Sequence, residues 1–304
     1  MLQTRFKGSL VNQRGHIWTA EILQDNPTPY ATVAPLTFDA DEPITIEWPD
    51  TQKYEPIAGA TATLNIISPA DRTYIDMYQV QPGHVMLRLS LDGKPYWQGT
   101  LDCETYEEPY QAASGYTVTL TFTDFGCLDR LKFNALGRHS VKWYITHCMQ
   151  AAGLDTTALT IHTTLQHTRL LTLTDGTTTL GNWAKATLDE PYIDAANFYD
   201  EDGTPATLHD VLQAVMQPLA LRIIQRAGHT TVYDTNAMLQ NPPATAPITW
   251  DSDEQTLSVD ALAQEAAIKF SPYGTGDLIT TDTATIKTDL LTQSEKIYNS
   301  LFNP

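Results

Sequence analysis

Cysteine is scarce in this chain, with only Cys103, Cys127 and Cys148 among 304 residues. An odd, sparse set makes no disulfide framework and predicts reduced thiols, as in a chain assembled in a cytosol-like compartment. Basic charge is scarce as well. Eighteen lysines and arginines stand against 36 acidic residues, a formal net charge of -18 at pH 7, and no run or stripe gathers the cations. Such a field repels phosphate backbones and anionic lipid surfaces, which argues against nucleic acid as a binding partner. Long apolar runs are missing too. Nothing approaches the roughly 18 consecutive apolar residues of a membrane span, and "MLQTRFKGSL" at the start lacks the apolar run of a signal peptide. A soluble chain, not exported by the usual route, is the expectation. No internal repeat recurs at a fixed period.

What is present suits a folded globular protein: 42% hydrophobic and 18% charged residues leave no compositional case for disorder. The length fits two domains or one large β-rich domain. The first part is β-rich. "TRFKGSLV" and "HIWTAEILQ" flank a hairpin turn at Asn12–Gly15, and "ITIEW" and "ATATLNIIS" carry the β-branched residues of half-buried strands. "VMLRLSL", Asp92-Gly93-Lys94 and "PYWQGTLDC" form the clearest hairpin, because the Asp-Gly pair supplies the positive φ that tight turns need. "GYTVTLTFTD" alternates with a period of two. Tyr116, Val118, Leu120 and Phe122 share one face and threonines the other, as in an antiparallel sheet or barrel with one wet side.

The middle changes character. "SVKWYITHCMQAAGL" places Val141, Tyr144, Ile145, Cys148, Met149 and Ala152 at helical spacing, with Ser140 as N-cap and Gly153 as the stop. A second helix is predicted over Thr207–Gln217. Thr207 and Asp210 have capping-box spacing, and Leu208, Val211, Leu212, Val215, Met216 and Leu219 form its apolar stripe, which Pro218 ends. "ALRIIQ" and "HTTVYDT" make a hairpin after it. Between the helices "DEPYIDAANFYDEDGTP" reads as an acidic surface loop. "NPPATAP" at Asn241–Pro247 reads as an extended linker, after which "ITWDSDEQTLSVD" and "IKFSPYG" resume β character. The ending "SLFNP" suggests truncation or trimming.

Several local patterns invite a chemical reading and are better explained without one. Asp124-Phe125-Gly126 spells the kinase magnesium motif, but no Gly-rich or catalytic-loop signature precedes it, so turn chemistry at a strand end is the expectation. His147, Cys148, His162 and His167 match no familiar zinc spacing, and Cys148 lies on a helix's apolar stripe, where a thiol packs. "YDEDG" at Tyr199–Gly203 lacks the alternating ligands and closing Glu of a calcium loop and reads as a solvated turn. The stretch "WQGTLDCETYEEPY" holds four carboxylates and three aromatic rings in fourteen residues. Paired carboxylates there could serve a glycosidase, with Trp97, Tyr106 and Tyr110 as sugar platforms and Glu104 or Glu107 as acid and base. An exposed acidic rim with aromatic anchors suits the same residues, as at protein interfaces.

Three phrases in order, "GATATLNIISPADRTYIDMYQV", the "DG…YWQGTLDCETYEEPY" hairpin and "GYTVTLTFTDFGCLDRLKF", resemble the opening domain of phage and prophage tail-tip or baseplate-hub proteins. The Gly99–Leu101 step matches that pattern, as does Asp124 followed by Leu128 and Leu131. So do the helix ending "AAGL", the capped helix "TLHDVLQAVMQPLALRIIQ" and the hairpin ending "TVYDT". The resemblance covers most of residues 1–273 and brings no catalytic signature. It implies a mainly β fold with an α+β middle part, as tandem antiparallel β-barrel-like domains of tail-hub type. Residues 1–137 would be a β-barrel-like domain and 138–244 an α+β domain of two helices and a hairpin. Residues 245–304 would supply return strands to the barrels and an irregular tail. The implied role is structural, a hub-like adaptor joining tail tube to tip or receptor-binding parts, as a homotrimer or ring of virion proteins assembled in the bacterial cytoplasm. DNA would be passing cargo only. No catalytic, cofactor-binding or metal residues are expected, and no cofactor. Trp97, Glu104, Tyr106, Glu107, Glu108 and Tyr110 would form an interface rim. A glycan-binding or glycan-cleaving tail module, and the equivalent hub of a contractile injection system, remain the alternatives.

Overall fold

The alternating segments of the first part pair into one large sheet. The structure is a computed structural model that describes residues 2–49, 55–79, 81–103, 108, 115–172, 178–240, 265–269 and 283–287. Before Asp124 the strands are β1 (Leu2–Val11), β2 (Ile17–Asp25), β3 (Ala34–Pro35), β4 (Ile44–Glu47), β5 (Ile57–Ala58), β6 (Thr61–Ser68), β7 (Val85–Leu91), β8 (Lys94–Leu101) and β9 (Tyr116–Thr123). Eight of them form a sheet in the order β3-β1-β2-β7-β8-β9-β6-β4, antiparallel except where β3 runs parallel to β1. The period of two decides which face is buried. Ala62, Leu64 and Ile66 of β6 and Val118, Leu120 and Phe122 of β9 are wholly buried, and β2 and β7 add Ile22 and Leu87 to the same core. Asp92 and Gly93 both have positive φ, 50° and 76°, the requirement of the tight turn joining β7 to β8.

Of the expected tandem antiparallel barrels, the described residues contain no closed one. The fold is mainly β with an α+β middle, but the strand ladder is linear, with β3 and β4 at its ends. The chain between those two strands nonetheless touches both sides. Leu36 N–H donates to Lys7 O of β1, while Ile67 N–H of β6 donates to Thr37 O at 2.7 Å and Asp39 N–H donates to Asn65 O at 2.9 Å. Gly8 makes room for the crossing. A Cβ there would lie 2.6 Å from Leu36 O and 2.9 Å from the Phe38 ring.

The second core is not a barrel. After Asp124 and up to Gln240 the elements are β10 (Arg138–Ser140), α1 (Val141–Ala151), β11 (Leu159–His162), β12 (Gln166–Thr172), β13 (Thr178–Lys185), β14 (Tyr192–Asp194), α2 (Leu208–Met216), β15 (Leu221–Arg226), β16 (His229–Asp234) and α3 (Thr235–Gln240). A four-stranded mixed sheet, β11-β16-β15-β5, shares one apolar core with α1 and α2. Both helices begin as their sequences require: Ser140 accepts from Trp143 N–H and Thr207 from Asp210 N–H, satisfying end donors. Helix α1 ends at Gly153, φ 72°, with Gly153 N–H bonded to Gln150 O and Leu154 N–H to Met149 O, a Schellman closure. Leu208, Val211, Leu212, Val215 and Met216 of the expected stripe are buried on α2, while Leu219 falls in the 3-10 turn that follows and is half-buried.

The expected surface loop between the helices is also more ordered than its composition suggests. Within it β14 pairs with β10, Ala195 is wholly buried, and the Phe198 ring packs 5.5 Å from Phe133 and 5.2 Å from Tyr144. Acidic side chains are exposed here while the few apolar ones anchor the segment. By internal contacts the chain divides into two units, Met1–Pro243 and Ala244–Pro304. In the second, β17 (Glu265–Lys269) pairs with β18 (Thr283–Lys287). The remaining strands expected to return to the barrels lie outside the described residues.

Candidate functional site

The polar chemistry of the first unit concentrates on the seam between its two cores. Strand β5 leaves the first sheet's chain path to lie parallel to β15, and Ile223 N–H donates to Pro56 O at 2.7 Å. Two residues later, Ala60 N–H donates to Asp124 Oδ1 at 2.9 Å. Asp124 is wholly buried, and among the described residues its Oδ2 has no hydrogen-bond partner. Burial pushes its carboxyl up to about 7, against the opposing pull of the N–H groups around it. A buried carboxylate is costly to ionise where donors are too few to replace water.

Opposite Asp124, Gln225 acts as a substitute peptide group. Its Oε1 accepts from Gln98 N–H and its Nε2 donates to Gln98 O, both at 2.8 Å, so one side chain completes the ladder along the edge of β8. The main chain of the same hairpin adds two bonds. Trp48 Nε1 donates to Gln225 O at 2.9 Å, and Gly228 N–H donates to Tyr96 O at 2.6 Å. Gly228 has φ 79°, and a Cβ there would meet Pro95 O at 2.3 Å, so both the turn and the close approach need glycine. Above this seam a cleft of about 280 Å³ is lined by Trp48, Gly59, Arg222, Ile224 and Arg226. The Arg226 guanidinium sits 5.4 Å from the centre of the Trp48 ring.

A second cleft, about 440 Å³, opens between the start of β7 and α1, with His84, Asp25, Lys132 and His147 on its walls. His84 Nδ1 lies 3.5 Å from Asp25 Oδ2. His147 belongs to a stack: its ring is 4.7 Å from Trp143, which is 3.7 Å from His139. Burial, and then the neighbouring His139, holds the His147 imidazole below its ordinary range.

Of the six residues expected to form an interface rim, the structure describes Trp97 and Glu108. Trp97 does not face outward. It is 2% exposed and packs in the core of the large sheet, because it lies on the inward face of β8, which requires Trp97 to be withdrawn from the rim. Glu108 is half-buried, accepting from Arg72 N–H at 2.9 Å and from the Tyr116 hydroxyl. Glu104, Tyr106, Glu107 and Tyr110 lie outside the described residues. The turn expected at Asp124-Phe125-Gly126 leads into a 3-10 turn, Gly126–Asp129, but the Asp124 carboxyl is interior, not solvated. Cys148 is wholly buried, and burial pushes its thiol up to about 12, so it packs without reacting. Tyr199–Gly203 is the solvated turn its sequence suggests, with Asp200 Oδ1 accepting from Asp202 N–H and Thr204 N–H. Among the described residues no group of three or more His, Cys, Asp or Glu side chains is placed to hold a metal ion.

Sequence reasoning missed Asp124 and Gln225, although the signal was available. Asp124 continues the inward parity of Val118, Leu120 and Phe122, and Gln225 that of Leu221 and Ile223. A polar residue in that register is buried.

No known protein family matches the chain, and neither does any curated protein. Among solved structures, the 43 kDa tail protein of prophage MuSo2 from Shewanella oneidensis aligns with it at 11% identity and a TM-score of 0.30. That alignment covers 58% of this chain and 47% of the other, so the chain spans about half the length of that protein.

Proposed function

We propose that the chain is a structural component of a phage or prophage tail, a hub-like adaptor at the tip or baseplate joining the tail tube to tip or receptor-binding parts. It acts by assembly and symmetry matching, not by catalysis, and its place is the virion. The observation that carries this reading is the seam. The buried Gln225 amide, bonded to both main-chain groups of Gln98, holds the four-stranded sheet on the large one, and the order of strands, capped helices and hairpin follows the tail-hub phrases of the sequence. The proposal includes closure of the first sheet into a barrel-like ring of strands, supported by the segment after β3 bonding first to β1 and then to β6. Its partners are other tail proteins and further copies of itself, with DNA as passing cargo. The glycan reading is weakened by the burial of Trp97, since a buried indole offers no platform to a sugar. Purified tail particles from a producing host test the proposal. The chain should be found by mass spectrometry at a fixed ratio to the tail-tube protein, and labelled antibody should mark the tail tip. Tails that assemble and infect without it would overturn the reading, as would glycan cleavage by the isolated chain.

A further inference from the structure

The four-stranded sheet has two unlike faces. Its inward positions, including Leu221, Ile223 and Val232, belong to the core shared with α1 and α2. Its outward positions carry Arg222, Ile224 and Arg226 on β15, His229, Thr231 and Tyr233 on β16, and Thr160 and His162 on β11. The register aligns them, with Arg222 opposite Tyr233, Ile224 opposite Thr231, and Thr231 beside Thr160. None of these positions is acidic, in a chain whose acidic residues outnumber its basic ones by 36 to 18. The cleft beside Trp48 lies at the β5 side of this face. Stacking on Trp48 orients the Arg226 guanidinium, which then presents a planar donor edge suited to carboxylates.

The complementary element is on the same chain. The turn Asp200–Gly203 is exposed throughout. Its base is fixed by the two N–H groups donating to Asp200 Oδ1, by Asp200 N–H to Thr204 O, and by the Tyr199 hydroxyl donating to Ala135 O. Glu201 and Asp202 therefore project from a turn that is already ordered, so docking it sacrifices little conformational freedom. The turn stands on Phe198 and Tyr199, which pack on Phe133 within the core, whereas the basic face looks away from that core.

We propose that the outward face of the four-stranded sheet receives the Asp200–Gly203 turn of a second copy of this chain. Each copy offers one face and one turn, so the contact is heterologous and repeats head to tail, closing a ring where the rotation permits. The inference deepens the structural reading given above and rests on it. A polynucleotide is the poorer occupant. It would bring a phosphate about every 1.7 Å against two arginines and the chain's overall negative field, whereas the turn brings only a few carboxylates to the face. Charges elsewhere on the two copies are screened beyond about 8 Å at physiological salt.

Sedimentation of the full chain over a range of concentrations, at about 50 mM and about 500 mM salt, tests the contact by charge exchange. Association is expected at low salt and should weaken at high salt. R222E/R226E should weaken it by about tenfold or more, as should E201K/D202K, and the four substitutions together should restore it. If R222E/R226E melts early, R226E alone, at an exposed position, carries the same comparison. A chain that is monomeric throughout overturns the contact, as does a folded quadruple variant no better than its parents. Binding of an oligothymidylate that is abolished by R226E would assign the face to nucleic acid and overturn it equally. These outcomes are independent of whether the chain is found in tail particles, so loss of the contact and loss of the tail reading are told apart.

Discussion

The core of the eight-stranded sheet and the core under α1 and α2 are assembled in different ways. The first draws its buried residues from one stretch of chain between Phe6 and Phe122, at alternate positions of successive strands. The second combines Ile57 with residues from Phe125 to Val232. Ile57 belongs to β5, which lies in sequence between two strands of the first sheet but pairs with β15 of the second. The second core therefore cannot be completed by residues after 137 alone. Two apolar cores joined by a shared strand and a polar seam should behave as one cooperative unit, since neither can lose its packing without disturbing the seam.

Val215→Asp is the strongest way to break that comparison. Val215 is 1% exposed in the second core, and an unpaired carboxylate there should destabilise by roughly 5 kcal/mol or prevent folding outright. If the cores are coupled, amide exchange should accelerate in β6 and β9 as well as in α2. Protection retained in β6 and β9 while α2 exchanges freely would show two independent folding units.

Asp124→Asn addresses the seam itself. The folded-state pKa of Asp124 is raised to about 7 from the model-compound 3.8, so the folded chain holds this proton more tightly than the unfolded one. Its contribution is fully present below about pH 4 and is lost as pH rises to about 7, a change on the order of 4 kcal/mol. Asp39 and Asp155, whose carboxyls are held low by hydroxyl and N–H donors, act with the opposite sign and weaken the fold only below that window. Asn cannot ionise, so the variant should lack the parent's fall between pH 4 and 7 and keep only the opposite rise from His147, whose imidazole is held low in the fold. Parallel denaturant titrations across that range check it, and parallel slopes for the two proteins would refute the buried-acid account.

The contrast between the cores also explains what could be read in the sequence. Strict alternation in "TVTLTF" and an Asp-Gly turn are local signals, and the sheet they predict is present. The caps at Ser140 and Thr207 and the stripe on α2 are local as well. What depended on partners distant in sequence was not legible. Strand β5 is two residues long and acquires its identity only from β15, 166 positions away at Ile57 and Ile223. Trp97 looked like a surface anchor because it sits beside acidic residues, yet strand parity places it inside. The acidic composition of residues 189–205 concealed Ala195 and Phe198. Composition averages over a segment, whereas burial is decided residue by residue.

Gln225→Leu keeps the volume of the seam but removes the amide. Gln98 would lose the partner of its N–H and of its C=O, an effect of about 2–3 kcal/mol. Gln225→Glu should be worse than Leu near neutral pH and approach it in acid, because the added carboxylate faces Asp124 and cannot donate to Gln98 O. Chemical denaturation of both variants at two pH values checks the order. Gly8→Ala probes the other end of the first sheet. Its Cβ would meet main-chain Leu36 O at 2.6 Å, which cannot swing aside as a side chain would, so a loss of about 1–2 kcal/mol is expected. A neutral result would mean that the crossing segment yields easily and adds little to the sheet.

The smallest effect is expected at the tips of the first two hairpins, where a close His–Asp contact adds to main-chain bonds that suffice without it. His16 Nδ1 lies 2.8 Å from Asp92 Oδ2, with both side chains about half exposed, 51% and 48%. Asp92 does more than pair. Its Oδ1 accepts from Ile17 N–H and its own N–H donates to Ile17 O, and the carboxyl is held low first by the Ile17 N–H and then by His16. His16→Ala removes the imidazole and leaves the main-chain bonds intact, so the melting temperature should stay within about 2 °C of the parent's. Asp92→Ala removes the acceptor for Ile17 N–H and places alanine at φ 50°, a conformation disfavoured without a side-chain amide or carboxylate to support it. It should lower the melting temperature more than His16→Ala at every pH. Equal losses for the two variants would mean that the His16–Asp92 contact, and not the main-chain cap, joins the hairpin tips.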